Sequence, residues 1–249
     1  FTHGMIHNVM YTGVPLKLLL EEAGVKTNAK WIMPEGADAS AMTRSVPLQK
    51  AMQDCLVAFK MNGEALRPEQ GYPLRLVVGG WPASASGKWL RRISVRNRVH
   101  DGPKMGGQSY RVPCEPVLPG ADVPDDNMCI IESMPVKSLI TTPRSGLVLN
   151  NERALTVSGH AWAGDLAVER VDLSVDFGQT WQSASLRAPV NRLAWQRFER
   201  RVMFPGPGYF EVWARATDTA GRSQPMLVPG WNPRGYLNNA CHRVAVKIA

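Results

Sequence analysis

In the stretch "VDLSVDFG", Val171, Leu173 and Val175 alternate with Asp172, Ser174 and Asp176, the period-two pattern of a strand with one buried face. Similar runs follow at sandwich-like intervals: "RALTVSGHAW", "RFERRVMFP", "GYFEVWARATDTAG" and "NNACHRVAVKI". Everything from residue 134 onward therefore reads as all-β. The first half has a different rhythm. "TGVPLKLLLEEAG" predicts a helix with Pro15 in its first turn, Leu16, Leu19, Leu20 and Ala23 on one face, and Gly24 ending it. "SVPLQKAM" predicts a second helix capped by Ser45. "CLVAFKMNGEAL" places Asn62-Gly63 between apolar runs, a hairpin signal. "YPLRLVV" and "KWLRRISV" then read as strands either side of a loop of small residues. Helices and strands mix without a βαβ repeat, so an α+β domain over residues 1–133 is expected, followed by an all-β sandwich over 134–249. Between them, residues 101–135 lose periodicity and gather Pro and Gly ("GPKMGGQ", "VPCEPVLPGADVPDD"), the mark of a linker or a long ordered excursion.

Charge refines this division. The chain of 249 residues carries a net +8, unevenly placed. Residues 1–100 hold 13 basic and 7 acidic side chains, residues 101–135 hold 2 and 6, and residues 136–249 hold 14 and 8. Two basic blocks around an acidic connector suit a small anion. A dense Lys/Arg run, zinc-finger spacing and an aromatic ribonucleoprotein motif are all absent from the sequence, which argues against a nucleic-acid partner. No apolar run approaches the ~20 residues of a membrane-spanning helix. The four cysteines, Cys55, Cys114, Cys129 and Cys241, form neither C-x-x-C nor a haem-attachment motif. The spacing of Cys114 and Cys129 permits a disulfide and equally two free thiols. Of the five histidines, His3 and His7 alone share helical spacing and have no acidic or Cys neighbour, so a metal site there is not expected.

The stretch "GGWPASASGKWLRR" is where chemistry concentrates. It is close to a phosphate loop, yet Pro82 replaces the first Gly of G-x-x-x-x-G-K-[ST] and Trp89 replaces the final hydroxyl. Small residues followed by Lys88 fit an anion cradle of another design or a flexible hairpin, and the loop alone favours the hairpin. Arg75, among apolar neighbours on the preceding strand, is either a rim residue with its head in water or a buried anion ligand. Tyr110 reads as a loop aromatic and Arg234 as a turn cation.

Taken together, "MNGEALRPEQGYPLRLVVGGWPASASGKWLRRISV", "MPVKSLITTP" and "WNPRGYLNNACHRVAV" resemble the sulfite oxidase family of molybdenum enzymes over nearly the whole chain. "YTGVPLKLLLEEAG" matches the family's W-x-G-V-x-L segment and "EGADASAMTRSVPL" its G-x-D…S-I-P-L segment; bacterial sulfite dehydrogenases, including the sulfane dehydrogenase branch, are most similar in "GADASAMTRS". The resemblance implies the C-terminal part of a molybdopterin domain followed by an immunoglobulin-like dimerisation domain. It implies a molybdenum–molybdopterin cofactor whose terminal phosphate is held by Arg75 and by Ser86, Gly87 and Lys88. Asp38 is implied as a further cofactor contact, and Gln70 stands where the family often has His. On the substrate side it implies catalytic roles for Tyr110 and Arg234, with Phe1 at a pocket Trp position. The molybdenum-ligating Cys of the family would precede Phe1, and none of the four cysteines matches it. No metal ligand is therefore assigned, and the chain is expected to be a fragment.

The activity implied is oxidation of sulfite, or a related sulfur oxyanion, to sulfate. Because the sequence carries no haem signature, a separate c-type cytochrome is expected to accept the electrons, in a bacterial periplasm, from a homodimer. The alternatives are sulfane-sulfur dehydrogenation in thiosulfate oxidation or nitrate reduction on the same scaffold. From another class comes a cofactor-free β-sandwich interaction module, which would not need a buried phosphate cradle.

Overall fold

A computed structural model describes residues 6–39, 42–100, 102, 106–150, 152–228 and 230–249. Phe1 and His3 lie outside the described residues. The chain forms two compact units, one of Phe1–Ser133 with Trp231–Tyr236 and one of Met134–Gly230 with Leu237–Ala249. The short piece Trp231–Tyr236 thus groups with the first unit, although its sequence lies within the span read as the sandwich.

In the first unit the elements are β1 (Tyr11–Pro15), α1 (Leu16–Ala23), β2 (Trp31–Gly36), β3 (Val46–Pro47), α2 (Leu48–Asp54), β4 (Cys55–Met61), β5 (Glu64–Ala65), β6 (Arg75–Val78), β7 (Leu90–Arg96), β8 (Arg111–Pro113) and β9 (Met128–Ile130). Strand β4 is central to one antiparallel sheet, pairing with β1, β5 and β6, while β2 pairs with β3 and β7 in another. The core between them gathers Leu16, Leu20, Ile32, Val46, Leu76 and Val78. Asn62 and Gly63 turn the β4–β5 hairpin with positive φ at both positions (52° and 85°), as a two-residue turn of this kind requires.

Three expectations are corrected here. Helix α1 has only eight residues, so its buried face reduces to Leu16 and Leu20, and Leu19 is 40% exposed. Ser45 does not cap α2; Pro47 occupies the cap, and the Ser45 hydroxyl accepts the His100 N–H at 2.8 Å instead. Strands β6 and β7 do not form a hairpin around their loop, because β6 pairs with β4 and β7 with β2. The loop is a crossover between two sheets, and its path is fixed at both ends. Within the described part of the acidic connector, β8 pairs with β9, and a disulfide joins Cys114 to Cys129.

The second unit is all strand among its described regular elements: β10 (Lys137–Thr142), β11 (Leu147–Leu149), β12 (Ala154–Trp162), β13 (Val168–Ser174), β14 (Gln182–Ser183), β15 (Ser185–Leu186), β16 (Gln196–Met203), β17 (Gly208–Asp218) and β18 (His242–Ile248). They form a sheet β10-β12-β16-β15 and a sheet β11-β18-β17-β13-β14. Val157, Phe198 and Val202 from the first meet Val171, Leu173, Val212 and Val246 from the second in one core. The strand that opened the sequence reading departs from simple alternation. Asp172 and Ser174 are as buried as Val171 and Leu173, because Arg170, Arg215 and the Ser183 hydroxyl neutralise and cover Asp172. With only two short α-helices described in 249 residues, the chain is mostly β.

Phe198 is fully buried opposite Gly159, whose missing side chain makes room for the ring: a Cβ there would stand 2.5 Å from it. Phe198→Ala is expected to destabilise the second unit by about 3–5 kcal/mol, because the sheets cannot collapse into the vacated space. Chemical denaturation followed by tryptophan fluorescence measures this, and a loss below about 1 kcal/mol would mean that the core is not packed on this ring.

Candidate functional site

The site starts from Arg75, the first residue of β6. Its backbone pairs with Ala58 of the central strand β4, and it is only 8% exposed. Nη1 donates to the Gln70 carbonyl (3.1 Å) and Nη2 to the Ser86 carbonyl (3.3 Å). Nε is buried without a hydrogen-bond partner, and the Tyr11 ring lies 5.5 Å from the guanidinium carbon. Burial pushes the guanidinium's pKa down, with Tyr11 opposing. Among the described residues no carboxylate forms an ion pair with Arg75. Neutral carbonyls do not offset the cost of burying a full charge, so this group calls for an anion. Of the two sequence readings of Arg75, the rim residue is therefore excluded.

The crossover loop wraps around this cation. Ser86 spends its carbonyl on Arg75, while its hydroxyl oxygen accepts the Val78 N–H at 3.0 Å, leaving the hydroxyl hydrogen to donate elsewhere. Gly87 sends its carbonyl to the Leu76 N–H and packs on Pro34 of β2. Lys88 Nζ donates to the Glu69 carbonyl (3.1 Å) and lies over the Trp89 ring, 4.3 Å from its centroid. Gly71 is required here: at φ 105° a Cβ would stand 2.8 Å from Lys88 Cβ. Asp38 reaches the same place from the end of β2, its carboxylate and the Lys88 carbonyl each 2.8 Å from where a Cβ on Gly36 would stand. Gln70 contributes its carbonyl to Arg75, and no hydrogen bond of its side-chain amide occurs among the described residues. Asp38, Gln70, Arg75, Ser86, Gly87 and Lys88 thus meet in one locus lined by two cations and small residues.

Tyr110 and the Arg234 segment form a second locus. Tyr110 has a positive φ (55°), an uncommon conformation for a bulky residue, and its carbonyl accepts the Ile131 N–H. Its ring stacks on Tyr236, with centroids 5.6 Å apart. Arg234 is exposed; its N–H is held by the Asn232 side chain (3.1 Å), and the Trp231 N–H reaches the Val117 carbonyl. Sequence reasoning did not single out Tyr11, Tyr236 or Arg44. The first two are aromatics whose partners lie 64 and 126 positions away respectively, and Arg44 carries no periodic signal.

The cysteines make no metal site among the described residues. Cys55 and Cys241 are buried, and burial pushes the Cys241 thiol up to about 11, where it stays protonated.

Residues 1–104 match the oxidoreductase molybdopterin binding domain, and residues 128–249 match the Mo-co oxidoreductase dimerisation domain. Together the two matches take in most of the chain, and both are to domains of molybdopterin-dependent oxidoreductases. The chain is 34% identical to mitochondrial sulfite oxidase of Homo sapiens over 263 residues, 99% of this chain and 48% of that protein. Against the Drosophila melanogaster enzyme it is 34% identical, covering 98% of this chain and 46% of that one. The crystal structure of the sulfane dehydrogenase SoxCD from Paracoccus pantotrophus superimposes with a TM-score of 0.81 at 36% identity, covering 97% of this chain and 61% of that chain. The chain spans about half the length of the sulfite oxidases it matches. A molybdenum–molybdopterin group is the cofactor these domains imply, and the described residues fit its anionic end: a buried cation without a described counterion, a hydroxyl hydrogen, and a glycine at position 71 that leaves room for Lys88.

Arg75→Met removes an uncompensated buried charge, so the apoprotein should melt no lower than wild type. Molybdopterin affinity should fall by roughly 1.5–3 kcal/mol, about ten- to a hundredfold, and Lys88→Ala should give a smaller loss of the same kind. Cofactor content of the purified full-length variants and apoprotein melting temperature check this together. A lower apoprotein melting temperature with unchanged cofactor content would make Arg75 structural.

Proposed function

We propose that this chain supplies the cofactor cradle and the dimerising sandwich of an enzyme that oxidises sulfite to sulfate. The observation that carries the proposal is the buried, unpaired Arg75 guanidinium at the mouth of the Ser86-Gly87-Lys88 loop, in a chain matched over both halves by these domains. Bound at that locus, the molybdenum–molybdopterin group supplies the two-electron redox centre. The chain's residues do the rest. Arg75, Lys88 and the Ser86 hydroxyl hold the cofactor's phosphate, and Asp38 and Gln70 border it. Arg234, exposed and without an ion pair among the described residues, supplies charge for the sulfite dianion. Tyr110, its ring set by Tyr236, offers a hydroxyl that can donate to the substrate or pass a proton as each sulfite takes up water oxygen and releases two electrons and two protons. We further read the first unit as α+β and the second as an immunoglobulin-like sandwich that pairs two copies of the chain. The electron acceptor in this reading is a c-type cytochrome in a bacterial periplasm.

A second reading has its own support. The sulfane dehydrogenase structure is as similar in sequence as the sulfite oxidases and covers more of its own chain, so a protein-bound or thiosulfate-derived sulfane sulfur is the competing substrate on this site. Steady-state assays of the full-length holoenzyme with sulfite and with a persulfide-bearing protein, each with cytochrome c, decide between them. Turnover of the persulfide alone would replace sulfite as the substrate.

The two substrate-side residues should respond differently. Arg234→Gln is expected to raise KM for sulfite about tenfold or more, the loss of roughly 1.5–3 kcal/mol from one charged hydrogen bond. Tyr110→Phe keeps the stacked ring and removes only the hydroxyl, so kcat should fall while KM moves little. Wild-type kinetics in both variants would remove Tyr110 and Arg234 from the site.

A further inference from the structure

Three consecutive polar residues, Thr43, Arg44 and Ser45, are buried at 8%, 2% and 2% exposure in the segment before β3, far from any periodic apolar pattern. Their bonds run in two directions. Arg44 Nη1 donates to the Ser84 hydroxyl at 2.9 Å, inside the turn Ala83–Ala85 that leads into Ser86, Gly87 and Lys88. Arg44 Nη2 donates to the Ile131 carbonyl, and the Ile131 N–H donates to the Tyr110 carbonyl at 3.2 Å. On the other side of Tyr110, the Thr43 carbonyl accepts the Gly102 N–H (3.1 Å), and the Ser45 hydroxyl accepts the His100 N–H (2.8 Å). Described residues on both sides of Tyr110, His100 and Gly102 on one and Ile131 on the other, are therefore held by one tripeptide, and the same guanidinium bonds to the turn that leads into the cofactor loop.

We propose that Arg44 is a positioning residue that sets Tyr110 relative to the cofactor cradle. The inference rests on the reading of Tyr110 as a substrate-side residue. A guanidinium suits the task because its two Nη groups lie in one rigid plane and donate in divergent directions at a fixed separation. Lysine, a single flexible point charge, cannot hold both acceptors in that geometry. The turn keeps its own bonds without Arg44, from the Ala85 N–H to the Pro82 carbonyl, from the Ser86 N–H to the Ala83 carbonyl and from the Val78 N–H to the Ser86 hydroxyl. Losing the brace therefore leaves the cradle in place but frees Tyr110 to shift by the fraction of an ångström to which turnover is sensitive.

The test uses the full-length holoenzyme and a double-mutant cycle. Arg44→Lys should lower kcat for sulfite about tenfold with KM and molybdenum content near wild type. In a Tyr110→Phe background the same substitution should cost less than about twofold, because the hydroxyl it positions is already gone. Amide exchange adds a readout independent of turnover: the Ile131 N–H should exchange faster in Arg44→Lys while peptides from the second unit are unchanged. Should Arg44→Lys fail to fold, Ser84→Ala removes one arm of the brace and should show the same non-additivity with a smaller kcat loss. Full multiplication of the Arg44 and Tyr110 effects, or a loss of molybdenum content in step with activity, would overturn the proposal. If Tyr110→Phe is itself wild type, it is the reading of Tyr110 that fails, and the positioning role with it.

Discussion

A charge buried without a countercharge organises the first unit. Arg75 enters the interior because its backbone is committed to β6, and the strand's apolar neighbours Leu76 and Val78 cannot turn it out to water. Its only described acceptors are two carbonyls, from Gln70 and Ser86, and those carbonyls belong to the segments that must stand around a bound anion. The unliganded protein thus bears a desolvation cost that an anion relieves. That is the physical content of a preformed site: the ligand does not assemble the cradle but settles a charge already fixed in it.

The crossover between sheets explains why this arrangement is rigid. A hairpin loop between β6 and β7 could fray as one unit. Here one end is paired to β4 and the other to β2, so the small residues between them span two sheets. Rigidity also gives the glycines their meaning. Gly71 is required by its φ and by the proximity of Lys88, whereas Gly87 faces Pro34 with room for a Cβ in ordinary contact. A substitution at Gly71 therefore moves a cation, and one at Gly87 need not.

Much of this was legible in the residues. Alternation revealed the long strands of the second unit and Asn62-Gly63 revealed the hairpin, whereas the small residues ending in Lys88 read by themselves as a hairpin rather than as a crossover. What escaped was set by partners distant in sequence. Asp172 reads as a solvent-facing position until Arg215 and Ser183 arrive to cover it. Ser45 reads as a helix cap until His100 takes its hydroxyl. Leu19 reads as core because periodicity cannot tell that α1 stops after eight residues. Local pattern states what a residue prefers, and tertiary contact decides what it meets.

The same distinction bears on how the two loci came together. The cradle is built from residues close in sequence, between Gln70 and Lys88, with Asp38 brought in by β2. The second locus joins Tyr110 to a segment near residue 234, and no local pattern announces that pairing. Their connection runs through buried polar groups rather than apolar packing. Apolar contacts tolerate repacking with little directional preference, whereas a guanidinium bonded to two named acceptors fixes distance and angle together. In the proposed enzyme, a cofactor and a tyrosine held in fixed register would gain from that directionality. It also incurs a liability, since a change at Arg44 leaves the part-buried Ser84 hydroxyl and the buried Ile131 carbonyl to find new partners at once.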